Sequence, residues 1–328
     1  MLEIKEVHDK SEYNPLLFDK KMPFTQAWFY GEWQMAMGRK VRRFEVKEDS
    51  KIISFFQIIK YPLPFGKNIL YIPHASIRKE FCHKLIEIAK EEDAIFVRFE
   101  SKFVDSSISL AIKKVPSYAY HSVYFQPKYE WVLDIDKSEN ELLGNMHPKS
   151  RYGVRLAENK GIKIEIIENN LGRYFEDFYG LMKETAERNR FKLHPKGYYQ
   201  NIFMNCEKNE NAFLALARYN NKILAINLIL LFGETAYFLF GASSNEFKNL
   251  MAPHLTHWRG IIEAKNRGYR FYNFGAIAFG NENDSFQGIS RFKKRFGGRL
   301  LEYPDSYDLI LQPLWHWLYK LRKRFQNL

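Results

Sequence analysis

The sequence predicts an α/β (α+β) fold made of two similar units in tandem. Three observations carry this expectation. The chain has 328 residues, about two domains' worth at roughly 150 residues each. Of these, 46% are hydrophobic and 16% aromatic, which supports sizeable cores and excludes disorder as the dominant state. One order of segments also occurs twice. Residues 51–76 (KIISFFQIIKYPLPFGKNILYIPHAS) and 222–243 (KILAINLILLFGETAYFLFGAS) both begin Lys-Ile, run through an apolar strand and turn at a glycine, Gly66 or Gly233. Both then run back and end in Ala-Ser, at Ala75-Ser76 and Ala242-Ser243.

The elements follow in order. A strand precedes each hairpin, VRRFEVKED in the first copy and AFLALARYNN in the second. Runs of β-branched and aromatic residues bounded by Gly turns read as strands. After each hairpin comes a helical stretch, HKLIEIAKEEDA or HWRGIIEAKNRG, with Ile86 and Ala89, or Ile261, Ile262 and Lys265, at amphipathic spacing. Each copy closes on a further strand, IFVRFES or YRFYNFGA. Between the copies, Asp134, Asp136 and Ser138 mark a strand end and a helix start, and Ser138 with Glu141 has capping-box spacing. A second helix is expected from Pro148 to Asn159, stopping at Gly161. The junction is expected near 135–147. This gives a first domain over 1–138, with 302–328 packing back on it, and a second over 139–301. No heptad run is long enough for a coiled-coil arm.

A strand, hairpin, helix, strand unit is the heart of an acyltransferase fold of the GNAT type, and two of them imply a cleft between them. Members that use acetyl-CoA hold its pyrophosphate on a Gly-rich turn opening the central helix. Here those turns are ASIRKEF (75–81) and ASSNEFKNL (242–250), and neither contains glycine. Acetyl-CoA is therefore a poor candidate donor.

Charge and cysteine content narrow the setting. With 50 Lys plus Arg against 38 Asp plus Glu, the net charge is +12, which favours anionic partners such as nucleic acid or an acidic membrane face. Cys82 and Cys206 are too few for a disulfide framework or a Cys-rich zinc site and suit a reducing compartment. The first fourteen residues are charged from Glu3 onward and lack the apolar core of a secretory signal. The longest apolar run, Ile223 to Phe232, is about half of what crosses a bilayer. The expectation is a cytoplasmic, non-spanning protein. Near the C-terminus, Leu314, Trp315, Trp317, Leu318 and Leu321 stand beside Lys320, Arg322, Lys323 and Arg324. Trp with Lys/Arg on a short amphipathic helix suits the inner membrane–water interface; the alternative is a helix packed on the first domain.

Four blocks carry a family resemblance: FTQAWFYGEWQMAMGRK, HPKSRYGVRLAENKGIKI, FGASSNEFKNLMAPH and GISRFKKRFGGRLLEY. In this order, over nearly the whole chain, they resemble the FemABX family of peptidoglycan bridge-forming aminoacyltransferases, whose fold is a tandem of GNAT-like domains. The resemblance implies transfer of an amino acid from aminoacyl-tRNA to the stem peptide of a cell-wall precursor. Exchange of an ester for an amide is downhill, so no cofactor or metal is expected, and a monomer is expected. Some members carry an inserted coiled-coil arm that this chain lacks.

The resemblance also assigns residues. Lys293 matches a lysine placed to hold the developing oxyanion when an amine attacks an ester, and Phe292 an aromatic that packs on the tRNA terminus. Lys294 and Arg295 read as tRNA phosphate contacts, although a basic run is also an ordinary solvated turn. Glu100 matches an acidic position near the acceptor, able to take a proton from the attacking ammonium or to orient it; pairing with Arg98 or a lysine is the alternative. Gln34 and His194 fall where the member acting on a nucleotide-linked precursor has lysine and arginine, Tyr198 where it has a tyrosine, and Phe238 and Phe240 where it has tyrosines. Loss of two cations weakens diphosphate binding and favours a lipid-linked acceptor. Phe238 and Phe240 alternate with Leu239, so one strand face is also plausible core. Arg151 and Arg155, four apart, share a helix face and suit phosphates of substrate or tRNA, or simply solvent.

His147, His254 and His257 are the other candidates for chemistry. The three-residue spacing of His254 and His257 permits a metal pair, but no Cys or HExxH accompanies it, so packing is the favoured role. Two rival functions stay open: a GNAT-like transferase using another acyl donor such as acyl-CoA, and a non-catalytic RNA- or membrane-binding module of the same fold.

Overall fold

The computed structural model describes residues 2–75, 77–100, 112–114, 125–279 and 286–326. Ser76 and Ser101, which the repeat comparison used, lie outside them. The chain divides into two compact units, Met1–Lys128 with Glu302–Leu328, and Tyr129–Leu301.

In the first unit, β1 (Leu2–Val7), β2 (Lys40–Glu48), β3 (Lys51–Pro62) and β4 (Asn68–Ile72) run antiparallel in sequence order. Helix α1 (Trp28–Ala36) lies between β1 and β2 in the chain, and α2 (Cys82–Glu91) forms the crossover from β4 to the parallel β5 (Ala94–Glu100). The sheet is completed by β14 (Ser306–Ile310), antiparallel to β5, and by β6 (Ile112–Lys114) at the edge. Strand β5 is buried along its whole length, as a parallel strand covered on both faces must be. One cluster joins Val97 and Phe99 to Leu85 and Ile88 of α2. A second joins Ile69, Ile95 and Phe96 to Trp315 and Tyr319 of the C-terminal helix, Pro313–Gln326.

The second unit repeats this plan. Its strands are β7 (Tyr129–Asp134), β8 (Lys163–Ile167), β9 (Ala212–Tyr219), β10 (Lys222–Phe232), β11 (Thr235–Ser243), β12 (Phe271–Ala276) and β13 (Arg299–Glu302). The order β8-β9-β10-β11-β12-β7-β13 matches β1-β2-β3-β4-β5-β14-β6 position for position, including a parallel step at the same place, here β11 to β12. The likeness therefore extends past the four strands visible in the sequence to three more in each sheet, β1 and β8, β14 and β7, and β6 and β13.

Helices α3 (Glu139–Asn145) and α4 (Pro148–Asn159) follow β7; α5 (Phe175–Asn189) and α6 (Lys196–Lys208) precede β9; α7 (Ala252–Asn266) crosses from β11 to β12; α8 (Gln287–Lys294) precedes β13; and Pro313–Gln326 is α9. Helix α3 starts with the reciprocal capping box of Ser138 and Glu141. The longest helices among the described residues have 15 residues, so no coiled-coil arm occurs there.

Two expectations need correction. The junction lies at Lys128/Tyr129, ten residues ahead of 138/139, because Tyr129–Asp134 pairs with β12 of the second sheet. And Phe238 and Phe240 do not share a face. In the β10–β11 ladder Leu228 faces Phe240 and Ile229 faces Phe238, leaving Leu239 as an extra residue. Such a bulge reverses the side-chain alternation. Phe238 accordingly packs on His257 of α7, 4.6 Å between ring centroids, and Phe240 on Tyr199 of α6, at 5.2 Å.

Candidate active site

Strands β11 and β12 pair only from Thr235–Tyr237 against Phe271–Asn273. Beyond that point Phe238–Ser243 leave β12 and stay with β10. Lys293 of α8 points to this divergence. Its side chain is 6% exposed, and Nζ donates to the Ala276 carbonyl at the end of β12 at 2.6 Å. Nζ also stands 5.9 Å from the Phe238 ring centroid. Burial lowers the Lys293 pKa to about 8, against the pull of the Glu130 carboxylate on β7. Glu130 accepts from Asn273 Nδ2 at 2.6 Å, and Asn273 Oδ1 accepts from the Gly275 N–H at 2.7 Å. Gly275 holds φ +70°, a left-handed conformation that glycine adopts without Cβ strain.

His257 sits among Phe238, Phe274, Phe292 and Phe296. Burial, then Lys293 and His254, push its pKa down to about 3, so it is neutral at physiological pH and unsuited to base catalysis there. Its Nδ1 and Asn227 Nδ2 are buried without hydrogen-bond partners. An ammonium carries three donors. One that is buried, positioned and able to reach a further acceptor can stabilise negative charge developing on a carbonyl oxygen far better than a solvated one.

The three motif blocks of this unit converge around that lysine. The His147 N–H donates to the Arg295 carbonyl at 2.9 Å, and His147 Nδ1 accepts from the Lys149 N–H as an N-cap. A Cβ on Gly153 of α4 would lie 2.8 Å from His254, so the helix meets that imidazole only through a glycine. His254 in turn packs on Phe292, 5.1 Å between centroids. Phe292 is half-buried, with Phe296 5.3 Å away. Lys294 lies 5.6 Å from the Trp131 ring centroid, and Arg291 and Arg299 are exposed. Arg151 donates to the Gly144 and Leu143 carbonyls at the end of α3, whereas Arg155 is exposed. Among the described residues no His/Cys/Asp/Glu group is arranged to hold a metal.

On the other face of β11, Phe240 joins an aromatic group with Tyr198 and Tyr199, and His194 lies over Tyr198 at 4.2 Å. Desolvation lowers the His194 pKa, so that imidazole is largely neutral.

In the first unit, Glu100 ends β5 with 2% exposure. Tyr71 Oη donates to Oε2 at 2.6 Å and Ser306 Oγ to Oε1 at 3.1 Å; His74 Nε2 stands 3.6 Å from Oε2. Burial raises the carboxyl pKa to about 7, opposed by these hydrogen bonds and by Arg98. Arg98 itself grips Asp308, Nε to Oδ1 at 2.7 Å and a terminal nitrogen to Oδ2 at 2.9 Å. The FTQ block reaches the same place, since Thr25 Oγ1 meets His74 Nδ1 at 3.1 Å. A small cavity of about 30 Å³ opens here between His74, Glu100 and Tyr303.

Gln34 is 4% exposed on α1, and Arg39 donates to its Oε1 while lying 4.3 Å over the Tyr61 ring. A cation therefore stands beside Gln34, supplied from five residues further on. Sequence reasoning missed it because the α1 terminus at Ala36 and the turn at Gly38 intervene. It also missed Glu130, Asn273 and Asn227, whereas His257 is packed among aromatics as expected. The partners of these residues come from strand register and helix packing, which no local motif encodes.

A strand–hairpin–helix–strand unit occurring twice, with a buried lysine at a strand divergence, defines a tandem GNAT-like acyltransferase scaffold. The FemAB family model matches residues 115–223 and 207–324, and the chain belongs to that family; it is an acyltransferase of the aminoacyltransferase kind. Similar proteins include a lipid II:glycine glycyltransferase of Staphylococcus epidermidis, 24% identical over 86% of this chain and 87% of the relative. A Staphylococcus aureus protein of the same name is 23% identical over 90% of each. Among solved structures, FemX superposes with a TM-score of 0.82 at 22% identity, covering 97% of this chain and all of the other. A tandem GNAT protein from the clavulanic acid pathway shares the fold at 0.51 and 11% identity, over 94% of this chain and 98% of its own. Among the described residues no helix is long and apolar enough to cross a membrane.

Proposed function

We propose that the chain moves an amino acid from aminoacyl-tRNA to a stem-peptide amine of a lipid-linked peptidoglycan precursor. Family membership supports the reaction class, and the lipid II named in the staphylococcal relatives supports a lipid-linked acceptor. The observation that carries the reading is the buried Lys293 ammonium bonded to the Ala276 carbonyl where β11 leaves β12. The amine nitrogen attacks the ester carbonyl carbon, and the carbonyl electrons move onto oxygen, where the ammonium offsets their charge. Collapse restores the carbonyl and breaks the ester C–O bond. The departing ribose oxygen of the tRNA takes the proton that the amine releases. An amide replaces an ester, so the step is downhill without ATP.

Phe292 is assigned to the tRNA terminus, and Lys294 and Arg295 to its phosphates. Tyr198, His194 and Phe240 are assigned to the acceptor, with Phe238 beside the reacting ester. Arg39 beside Gln34 supplies the cation whose loss had argued against a nucleotide-linked acceptor; since either precursor carries a diphosphate, the lipid-linked choice rests on the relatives. Arg155 is the freer of the two α4 arginines to meet a phosphate. Glu100, in the first unit and with a carboxyl pKa near 7, is suited to bind an amine.

The test supplies purified protein with a panel of labelled aminoacyl-tRNAs and either acceptor. Label on the lipid-linked stem peptide is expected. Transfer confined to the nucleotide-linked acceptor overturns the acceptor assignment, and acylation from acetyl-CoA with none from aminoacyl-tRNA overturns the donor.

A further inference from the structure

Helix α9 has two apolar faces, and only one is used by the first unit. Trp315, His316 and Tyr319 turn inward, against Ile69, Ile95 and Phe96. Leu314, Trp317 and Leu318, at i, i+3 and i+4, are 68%, 58% and 39% exposed. Side chains so spaced form one stripe, and an exposed Trp–Leu stripe on a helix that already has its packing face is not needed for folding.

A second element extends the patch. Phe65, in the turn between β3 and β4, is 84% exposed and 5.9 Å from Trp315. It is held at φ +61°, an unusual conformation for a bulky residue, which presents the ring outward beside the helix. The surroundings are basic. Helix α9 carries four cations and no acid in PLWHWLYKLRKRFQ, and Lys320 and Arg322 are exposed. Lys67 lies 5.6 Å from the Trp315 ring, and the nearby Asp93 is engaged by Lys67 and Gln312.

We infer that this surface, Leu314, Trp317, Leu318 and Phe65 ringed by Lys320 and Arg322, docks on an anionic lipid bilayer. Trp and Leu side chains enter the headgroup–acyl boundary while Lys and Arg meet the lipid phosphates, the pattern of a helix lying in the interface plane. The charge selects a lipid surface over a second copy of the chain, since two such basic faces repel. The inference rests on the lipid-linked acceptor proposed above and names how the enzyme reaches it.

The test is co-sedimentation of the full chain with phosphatidylglycerol-containing or pure phosphatidylcholine vesicles. Wild type should bind the anionic vesicles. Leu314→Ser/Trp317→Ser/Leu318→Ser should lower the partition coefficient roughly tenfold or more, with thermal unfolding unchanged. Lys320→Glu/Arg322→Glu should abolish the preference for anionic lipid. The apolar variant should keep transfer to detergent-dispersed precursor, which separates loss of docking from loss of the reaction. Wild-type binding by the apolar variant overturns the inference. So does salt-sensitive binding that the stripe does not affect, or a wild-type dimer that the apolar variant dissolves.

Discussion

Lys293 holds its proton at neutral pH by a narrow margin. Burial brings its pKa from 10.5 to about 8, so the ammonium to which we assign the developing oxyanion is lost as pH rises past that value. The acceptor amine titrates too, and a ratio removes its effect. Arg stays charged throughout, so the rate of wild type divided by that of Lys293→Arg should fall about tenfold per pH unit above roughly 8. A ratio that stays flat places the operative charge elsewhere. Glu100 is displaced the other way, from 4.5 to about 7. The folded chain keeps a proton there that the unfolded chain gives up, so this contribution to stability is complete below pH 4.5 and declines as pH rises to 7. Glu100→Gln should remove the decline and gain on the order of 3 kcal/mol above the folded pKa, read by denaturant unfolding on both sides of that window. Motif and strand end singled out both residues in the sequence. Their surroundings were not legible there: Arg98, a candidate partner of Glu100, does act on its charge, but it also holds Asp308, more than two hundred residues away in sequence.

At the scale of elements, the helices and strands of both copies stand where apolar pattern and capping placed them. Helix α4 has the bounds Pro148–Asn159, and the hairpins turn at Gly66 and Gly233. The bulge at Leu239 was invisible, because β-bulges have no side-chain signature when the extra residue is itself apolar. The FGG end of the last motif has a structural reason. Gly298 holds φ +97°, and a Cβ there would lie 2.5 Å from the Val132 carbonyl oxygen. Gly298→Ala should therefore cost about 2–3 kcal/mol and shift α8 with Lys293, lowering transfer. Gly288→Ala, with open space around it, should be neutral or stabilising by up to about 1 kcal/mol, from helix propensity. Thermal melts and transfer rates of the pair separate strain from a general sensitivity of the motif.

For the whole molecule, duplication was readable from the hairpin–helix–strand order, but the strands that complete each sheet were not. β14 reaches the first sheet from the far end of the chain, and β7 joins the second sheet from the near side of the junction, so neither lies in the repeated stretch. The C-terminal segment closes the first unit through the buried Arg98–Asp308 pair, with His316 Nε2 3.0 Å from Asp308. Asp308→Asn leaves the Arg98 charge buried without its counter-ion and should cost about 3–5 kcal/mol. Denaturant unfolding should show that loss as a lower midpoint. An unchanged midpoint would contradict it.

The account turns on one ammonium group, and single-turnover transfer by Lys293→Met, with bound aminoacyl-tRNA and precursor both saturating, tests it most directly. Removing a donor to the developing oxyanion should slow the chemical step by about 10²–10³-fold while leaving substrate affinities near wild type. A variant that transfers within about threefold of wild type would contradict the role assigned to Lys293.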